Sequence, residues 1–351
     1  MIQLETGIKE VEPQHRIDEA KLTEFLGDHL EDFSGDLEVR QFRGGQSNPT
    51  YHLSNGERKW VLRRKPPGKL LASAHAVDRE FRVISALNRI DFPVPRTRVL
   101  CEDENVIGTI FYVMDLVEGR ILTDQTLPDA TPEERRATYA SQIETLAKLH
   151  QVDYESIGLA DYGRPGNYFA RQVHRWTKQY RASETESIPA MERLMEWLPE
   201  NIPDDDSTSI VHGDYGLNNM VVHPTEPRVV AVLDWELSTI GHPFGDLTYH
   251  LSQRRSPRNA FLGMTDEELR ASGIPSEAEY VDRYCALTGR DGIPNLDFYL
   301  AFQLFRAAGI MQGIAARVKT GTAAGERAAE IGRLARPLAE CGLEHAAKLG
   351  A

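Results

Sequence analysis

"HGDYGLNN" (212–219) and "LDWE" (233–236) set an Asp, an Asn and a second Asp in short polar segments beside strongly apolar runs. Carboxylates so placed are costly unless a cation meets them. The fold turns on whether that cation is a structural Arg or a metal ion. His212-Gly213-Asp214 follows a short apolar strand (209–211), and Asn219 stands five residues beyond Asp214, just before "MVV". Asp234 ends the apolar run "VVAVL". "MVVH" and "RVVAVLD" around "PTEP" read as an antiparallel hairpin, which brings Asn219 and Asp234 to one end. An amide oxygen and a carboxylate there suit Mg²⁺, which takes few protein ligands and completes its shell with phosphates and water. Asp214 is then placed to accept a proton from an attacking hydroxyl. Phosphoryl transfer asks for little more than such positioning and charge neutralisation. Either Asp alone reads as a strand-end cap; the combination carries the chemistry.

Outward from this segment the chain changes character once. Residues 17–30 read as a helix, and 37–42, 50–54 and 59–64 as strands. Asn55-Gly56 marks a hairpin turn between the last two. A helix is expected over 74–90, then two strands in "RTRVLCE" and "GTIFYVMDLV". After "VEGR" (117–120) helices dominate, over 132–150, 167–184, 189–198 and from 265 onward. The reading is an α+β chain with a small β-rich lobe over 1–116 and a larger, mainly helical lobe over 117–351. "RGGQSNPTY" (43–51) lies between two strands. Gly44 and Gly45 let backbone N–H groups approach phosphates, and Ser47 and Asn48 add donors. Neither a Walker A motif nor GxGxxG is present. In the helix 74–90 one apolar stripe carries Glu80, and a carboxylate there needs a cationic partner. Along "KWVLRRK", side-chain alternation puts Val61, Arg63 and Lys65 on one face.

Composition narrows the classes. The 351 residues suffice for two lobes, and 41% apolar residues for a sizeable core. A net charge of −13 argues against general nucleic-acid binding. Cys101, Cys285 and Cys341 form no CxxC pair, and no disulfide framework is expected. The start of the chain has no apolar signal segment and no run approaches a membrane span, so a cytoplasmic protein is expected. HExxH is absent, which disfavours a metal-dependent hydrolase.

HGDxxxxN, the apolar run and DWE together resemble the core of the aminoglycoside phosphotransferase and choline kinase superfamily, relatives of the protein kinases, from about Phe42 to Leu251. The resemblance implies a two-lobed, protein-kinase-like fold and an ATP- and Mg²⁺-dependent small-molecule kinase. It makes Asp214 the base, Asn219 and Asp234 the Mg²⁺ ligands, and Asp246, with His212, a support of the catalytic loop. It assigns Val61 to the adenine, Arg63 to the α and β phosphates, Glu80 to Arg63, and the backbone from Met114 to Leu116 to the adenine edge. The family more often has Lys where Arg63 stands. About sixty residues separate "LAKLHQVD" (146–153) from His212, where a protein kinase has almost none, and no DFG or APE follows Asp234. "GGQSNPTY", "VLRRKPPGKLLASAHAVDREFRVI" and "LDWELSTIGHPFGDL" are closest to the kinase-like domain fused to some eukaryotic acyl-CoA dehydrogenases and its free-standing bacterial relatives. That branch implies a hydroxylated acyl substrate or its CoA ester. The alternatives are an aminoglycoside or choline-like acceptor, or a nucleotide-binding module without turnover. His174, Trp176, Tyr180, Arg254 and Arg306 are candidate pocket residues, and "RRKPPGK" and "SQRRSPR" candidate sources of positive charge. The sequence leaves the oligomeric state open.

Overall fold

The computed structural model describes residues 2–3, 7–43, 48–66, 76–255, 265–322 and 327–351. Their contacts define two compact units. One contains Met1–Leu127, Asp153–Tyr162 and Gly216–Ser238, and the other Pro128–Val152, Gly163–Tyr215 and Thr239–Ala351. Neither is one run of sequence, so packing does not divide the chain at 116/117. The hairpin after "HGDYGLNN" packs with the N-terminal unit.

Strands β1 (Ile2–Gln3) and β2 (Ile8–Lys9) open the first unit, followed by helix α1 (Glu19–His29). Then come β3 (Glu38–Phe42), β4 (Thr50–Ser54), β5 (Lys59–Arg64), helix α2 (Val77–Asn88), β6 (Thr97–Cys101), β7 (Phe111–Asp115) and β8 (Arg120–Ile121). An antiparallel sheet runs β2-β3-β4-β5-β7-β6. The β4–β5 turn is the expected one: Asn55 Oδ1 accepts from the N–H groups of Glu57 and Arg58, and Gly56 adopts φ +88°. β-Alternation decides the two faces. Trp60 and Leu62 join Leu22, Leu26, Leu53, Phe111 and Val113 in a core under α1, while Val61 and Arg63 line a cavity on the other side. Arg64, on the core side, lays its guanidinium 5.4 Å from the Tyr51 ring centroid. On α2 the buried stripe is Val77, Glu80, Val83, Ile84 and Leu87.

The second unit is helical. Helices α3 (Pro132–His150), α4 (Tyr168–Ser183) and α5 (Pro189–Glu200) precede β9 (Ser209–Val211). The hairpin of β10 (Met220–Val222) and β11 (Val229–Val232) belongs to the first unit and forms a sheet in the order β1-β8-β10-β11. After it come β12 (Thr239–Gly241), paired with β9, and helices α6 (Phe244–Arg255), α7 (Asp266–Ser272), α8 (Glu277–Thr288), α9 (Leu296–Lys319), α10 (Ala328–Gly332) and α11 (Ala335–Ala347). Helices α3, α7 and α8 start at capping boxes: Thr131 with Glu134, Thr265 with Glu268, and Ser276 with Glu279. In each, two orphan N–H groups of the first turn are satisfied reciprocally. Helix α9 buries an almost continuous run from Phe298 to Phe305, so its sequence shows little amphipathic contrast.

Candidate active site

The first unit assembles one charged cluster from three separate segments. Arg63, at the end of β5, directs Nε to Glu80 Oε2 at 3.2 Å and Nη2 to Asp234 Oδ1 at 3.0 Å. Glu80 is 1% exposed, and its Oε1 accepts the backbone N–H of Trp235 at 3.1 Å. Burial pushes the Glu80 carboxyl up, and Arg63 opposes that shift. Burial also works against the Arg63 cation, but Glu80, Tyr112 and Asp234 outweigh it and hold the guanidinium protonated. The stripe on α2 and the strand cation are therefore partners, as the apolar setting of Glu80 requires.

Asp234 sits just past β11 in the left-handed region, φ 64° and ψ 62°. Asp tolerates this backbone better than most residues. The turn is held by Trp235, whose Nε1 donates to Val232 O at 3.0 Å, and by Glu236, whose carboxylate accepts from Asn48 Nδ2 at 2.9 Å. Asn219 lies across the hairpin: Met220 pairs with Val232, and Leu233 N–H donates to Asn219 O at 2.8 Å. A cavity of about 560 Å³ within this unit has Asn219, Asp234 and Arg63 among its polar lining residues. Val61, Met114, Leu116, Ile121, Val221 and Leu233 are among its apolar lining residues. A small polar cluster in an apolar pocket of this volume is the usual form of a cofactor site. Among the described residues no three His, Cys, Asp or Glu side chains group as a metal site. A cation here would depend on one carboxylate, one amide oxygen and the ligand's own phosphates, a set that Mg²⁺ accepts.

Asp214 belongs to the second unit, on the loop after β9. Asp246, fully buried on α6, accepts the N–H of His212 at 2.6 Å and of Gly213 at 2.7 Å. Burial alone would raise its carboxyl; His150, with Nε2 at 3.6 Å, and the His212 backbone outweigh that and hold it below the ordinary value. His212 is fully buried, and its Nδ1 accepts the Asp214 N–H at 3.3 Å. Gly213 takes φ +88°, which its lack of a Cβ permits. The carboxylate of Asp214 accepts a hydrogen bond from Tyr249 Oη at 2.5 Å.

Other expected residues are sorted by this geometry. Gly44, Gly45 and Ser47 lie outside the described residues. Asn48 is buried, with its amide on Glu236. Met114 and Leu116 line the cavity, but the N–H groups of Asp115 and Leu116 are taken by Arg96 O at 2.8 Å and Lys59 O at 3.3 Å. Of the pocket candidates, Tyr180 is fully buried, and buried Arg254 lies 5.4 and 5.0 Å from the rings of Tyr139 and Tyr280. Arg254 is a packing residue and not the free cation expected of "SQRRSPR", whose last three residues are outside the described set. Trp176 and Arg306 do come together, with the guanidinium 5.5 Å from the indole centroid. Tyr249 and Glu236 escaped the sequence reading. Tyr249 is three residues after Asp246, and that spacing on a helix was the available signal.

The profile of the phosphotransferase enzyme family matches residues 38–299. The human protein acyl-CoA dehydrogenase family member 11 is 45% identical over 346 residues, which is 97% of this chain and 44% of that protein. The chain thus spans less than half the length of this relative. The crystal structure of a putative aminoglycoside phosphotransferase from Ralstonia eutropha is 51% identical, covers 95% of this chain and 99% of its own, and superposes with a TM-score of 0.88. A spectinomycin phosphotransferase solved with ADP and spectinomycin shares the fold at 11% identity, covering 94% of this chain and 98% of its own, with a TM-score of 0.59. The chain belongs to the phosphotransferase enzyme family and is a small-molecule kinase of α+β, protein-kinase-like fold, with a β-sheet N-lobe and a helical C-lobe.

Proposed function

We propose that the chain transfers the γ-phosphoryl group of ATP, in an Mg²⁺-dependent reaction, to the hydroxyl of a hydroxylated acyl compound or its CoA ester. The observation that carries the nucleotide half is the cavity in which Arg63, braced by Glu80, stands beside Asn219 and Asp234. Val61, Met114 and Leu116 enclose the adenine, and the remaining donors of the Arg63 fork meet the phosphates. Asn219 and Asp234 would hold Mg²⁺, which when bound neutralises charge on the phosphate oxygens. Asp214 takes the proton of the attacking hydroxyl, and His212 and Asp246 fix the loop that carries it. In this division of roles residues 1–116 bind nucleotide and 117–351 carry the base and the acceptor. The division is one of function and not of packing.

The acyl acceptor is supported by the alignment of 97% of this chain with 44% of a relative named as an acyl-CoA dehydrogenase family member, and by local charge. Arg175 and Lys178 are exposed on α4, three residues apart, in a chain of net charge −13. Such a pair suits an anionic acceptor. The name of the 51% identical structure favours an aminoglycoside instead. Competition at fixed ATP between a 4-hydroxyacyl-CoA and kanamycin, with and without Mg²⁺, separates the two by the mass of the phosphorylated product. Phosphorylated acyl-CoA formed only with Mg²⁺ is expected. Kanamycin phosphate alone would overturn the acceptor, and turnover indifferent to Mg²⁺ would overturn the metal role.

A further inference from the structure

Helix α6 presents two groups to the loop after β9 from one face. Asp246 grips the N–H groups of His212 and Gly213, and Tyr249, three residues on, donates to Asp214 Oδ1 at 2.5 Å. Helix α9 repeats the spacing. Gln303 Nε2 donates to Gly245 O at 2.6 Å, and Arg306 Nη2 to Gly213 O at 2.9 Å. The Arg306 guanidinium also lies 5.1 Å from the Tyr249 ring centroid. Two pairs at i, i+3 thus fasten the loop backbone, the root of α6 and the Asp214 carboxylate.

We infer that Tyr249 is a positioning residue for Asp214, an inference that rests on Asp214 being the base. A carboxylate on a single-bonded side chain can rotate, and a base must point one oxygen at the acceptor hydroxyl. A phenol on Oδ1 fixes that rotation. Burial, and then the negative charge of Asp214, hold the Tyr249 proton well above its ordinary range, so the phenol remains a donor throughout the working pH range. The ring in turn is set by its contact with Arg306 and by the α6 backbone.

The test is Tyr249→Phe in the wild-type and Asp214→Asn backgrounds, in the full chain. It follows 4-hydroxyacyl-CoA phosphorylation and, without acceptor, phosphate release from MgATP to water. Tyr249→Phe keeps the ring beside Arg306 and should lower kcat about 10- to 100-fold, as for loss of a hydrogen bond to a charged group. KM for MgATP should stay near wild type, and counting active sites by MgADP binding excludes unfolded protein as the cause. In Asp214→Asn the same change should cost nothing further, because its partner carboxylate is gone. Wild-type kcat in Tyr249→Phe overturns the inference and leaves the base in place. So does a double variant slower than Asp214→Asn by the full single-variant factor. Wild-type turnover in Asp214→Asn overturns both readings.

Discussion

At Arg63 one guanidinium serves two carboxylates, and this is where Arg differs from Lys. A forked cation meets Glu80 through Nε and Asp234 through Nη2 at the same time, whereas an ammonium is a point charge on a flexible stem. Arg63→Ala leaves Glu80 buried without its cation, a loss of about 3–5 kcal/mol for a broken buried pair. It should also raise KM for MgATP. Arg63→Lys should recover most of the stability through Glu80 and only part of the nucleotide affinity. Lys65 lies beyond the end of β5 and gives its N–H to Ile110 O, so Lys65→Ala should change both little. Denaturant midpoints and KM for the three variants check this, and a larger KM defect at Lys65 would move the phosphate cation two residues on. Glu80 and Asp234 stood out because each is polar where its stripe or strand is apolar, Asn219 because the hairpin sets it opposite Asp234, and Arg63 over Lys65 only through the family resemblance. Tyr249 did not stand out, because an aromatic residue in a helix of mixed polar and apolar residues carries no such contrast and its partner is 35 residues away.

At the scale of elements, α6 fixes the loop after β9 through Asp246, and this makes stability depend on pH. A carboxyl whose folded value lies below its unfolded one binds fewer protons when folded. Its contribution is complete above the unfolded value, about 3.9, and is lost as pH falls through the lowered folded value. Asp246 has that sign. Asp246→Asn should therefore cost about 3–5 kcal/mol at pH 7, since it breaks a buried, hydrogen-bonded charge. The gap to wild type should begin to narrow only below about pH 4, by at most about 1.4 kcal/mol per pH unit for a single carboxyl. Denaturant midpoints from pH 7 to pH 3 measure it, and a gap independent of pH would show that the lost contacts are not those of the ionised carboxylate. Elements of this kind were largely readable. The Asn55-Gly56 turn, the alternation in β5 and the hairpin after Asn219 are local patterns with periods of two. The left-handed Asp234 and the pairing of the β8 strand with β10 were not, because the first is imposed by Trp235 and Glu80 and the second joins residues about a hundred apart.

At the scale of the whole molecule, charge gives two opposed expectations. A net charge of −13 attracts cations at long range, which would favour an aminoglycoside. Salt screens that field within about 8–10 Å at physiological ionic strength, so the charges nearest the acceptor decide binding. On α4, the helix that carries the expected pocket residues His174 and Trp176, the exposed charges proposed to meet it are Arg175 and Lys178, whereas Arg171 and Arg181 on the same helix are tied to the carbonyls of Arg164 and Gly166 and to Glu184 and Glu192. Reversing both exposed charges, Arg175→Glu with Lys178→Glu, touches no residue assigned to chemistry. With a 4-hydroxyacyl-CoA the double variant should raise acceptor KM about tenfold or more, since each charge reversal near an anion is worth about 1 kcal/mol or more at partial screening. The kcat and the KM for MgATP should hold. The defect should shrink as salt rises, because screening weakens the wild-type attraction and the variant repulsion together. An unchanged KM for the CoA ester would move its anionic groups off α4, and a lowered KM for kanamycin in place of a raised one for the ester would return the acceptor to the cationic class.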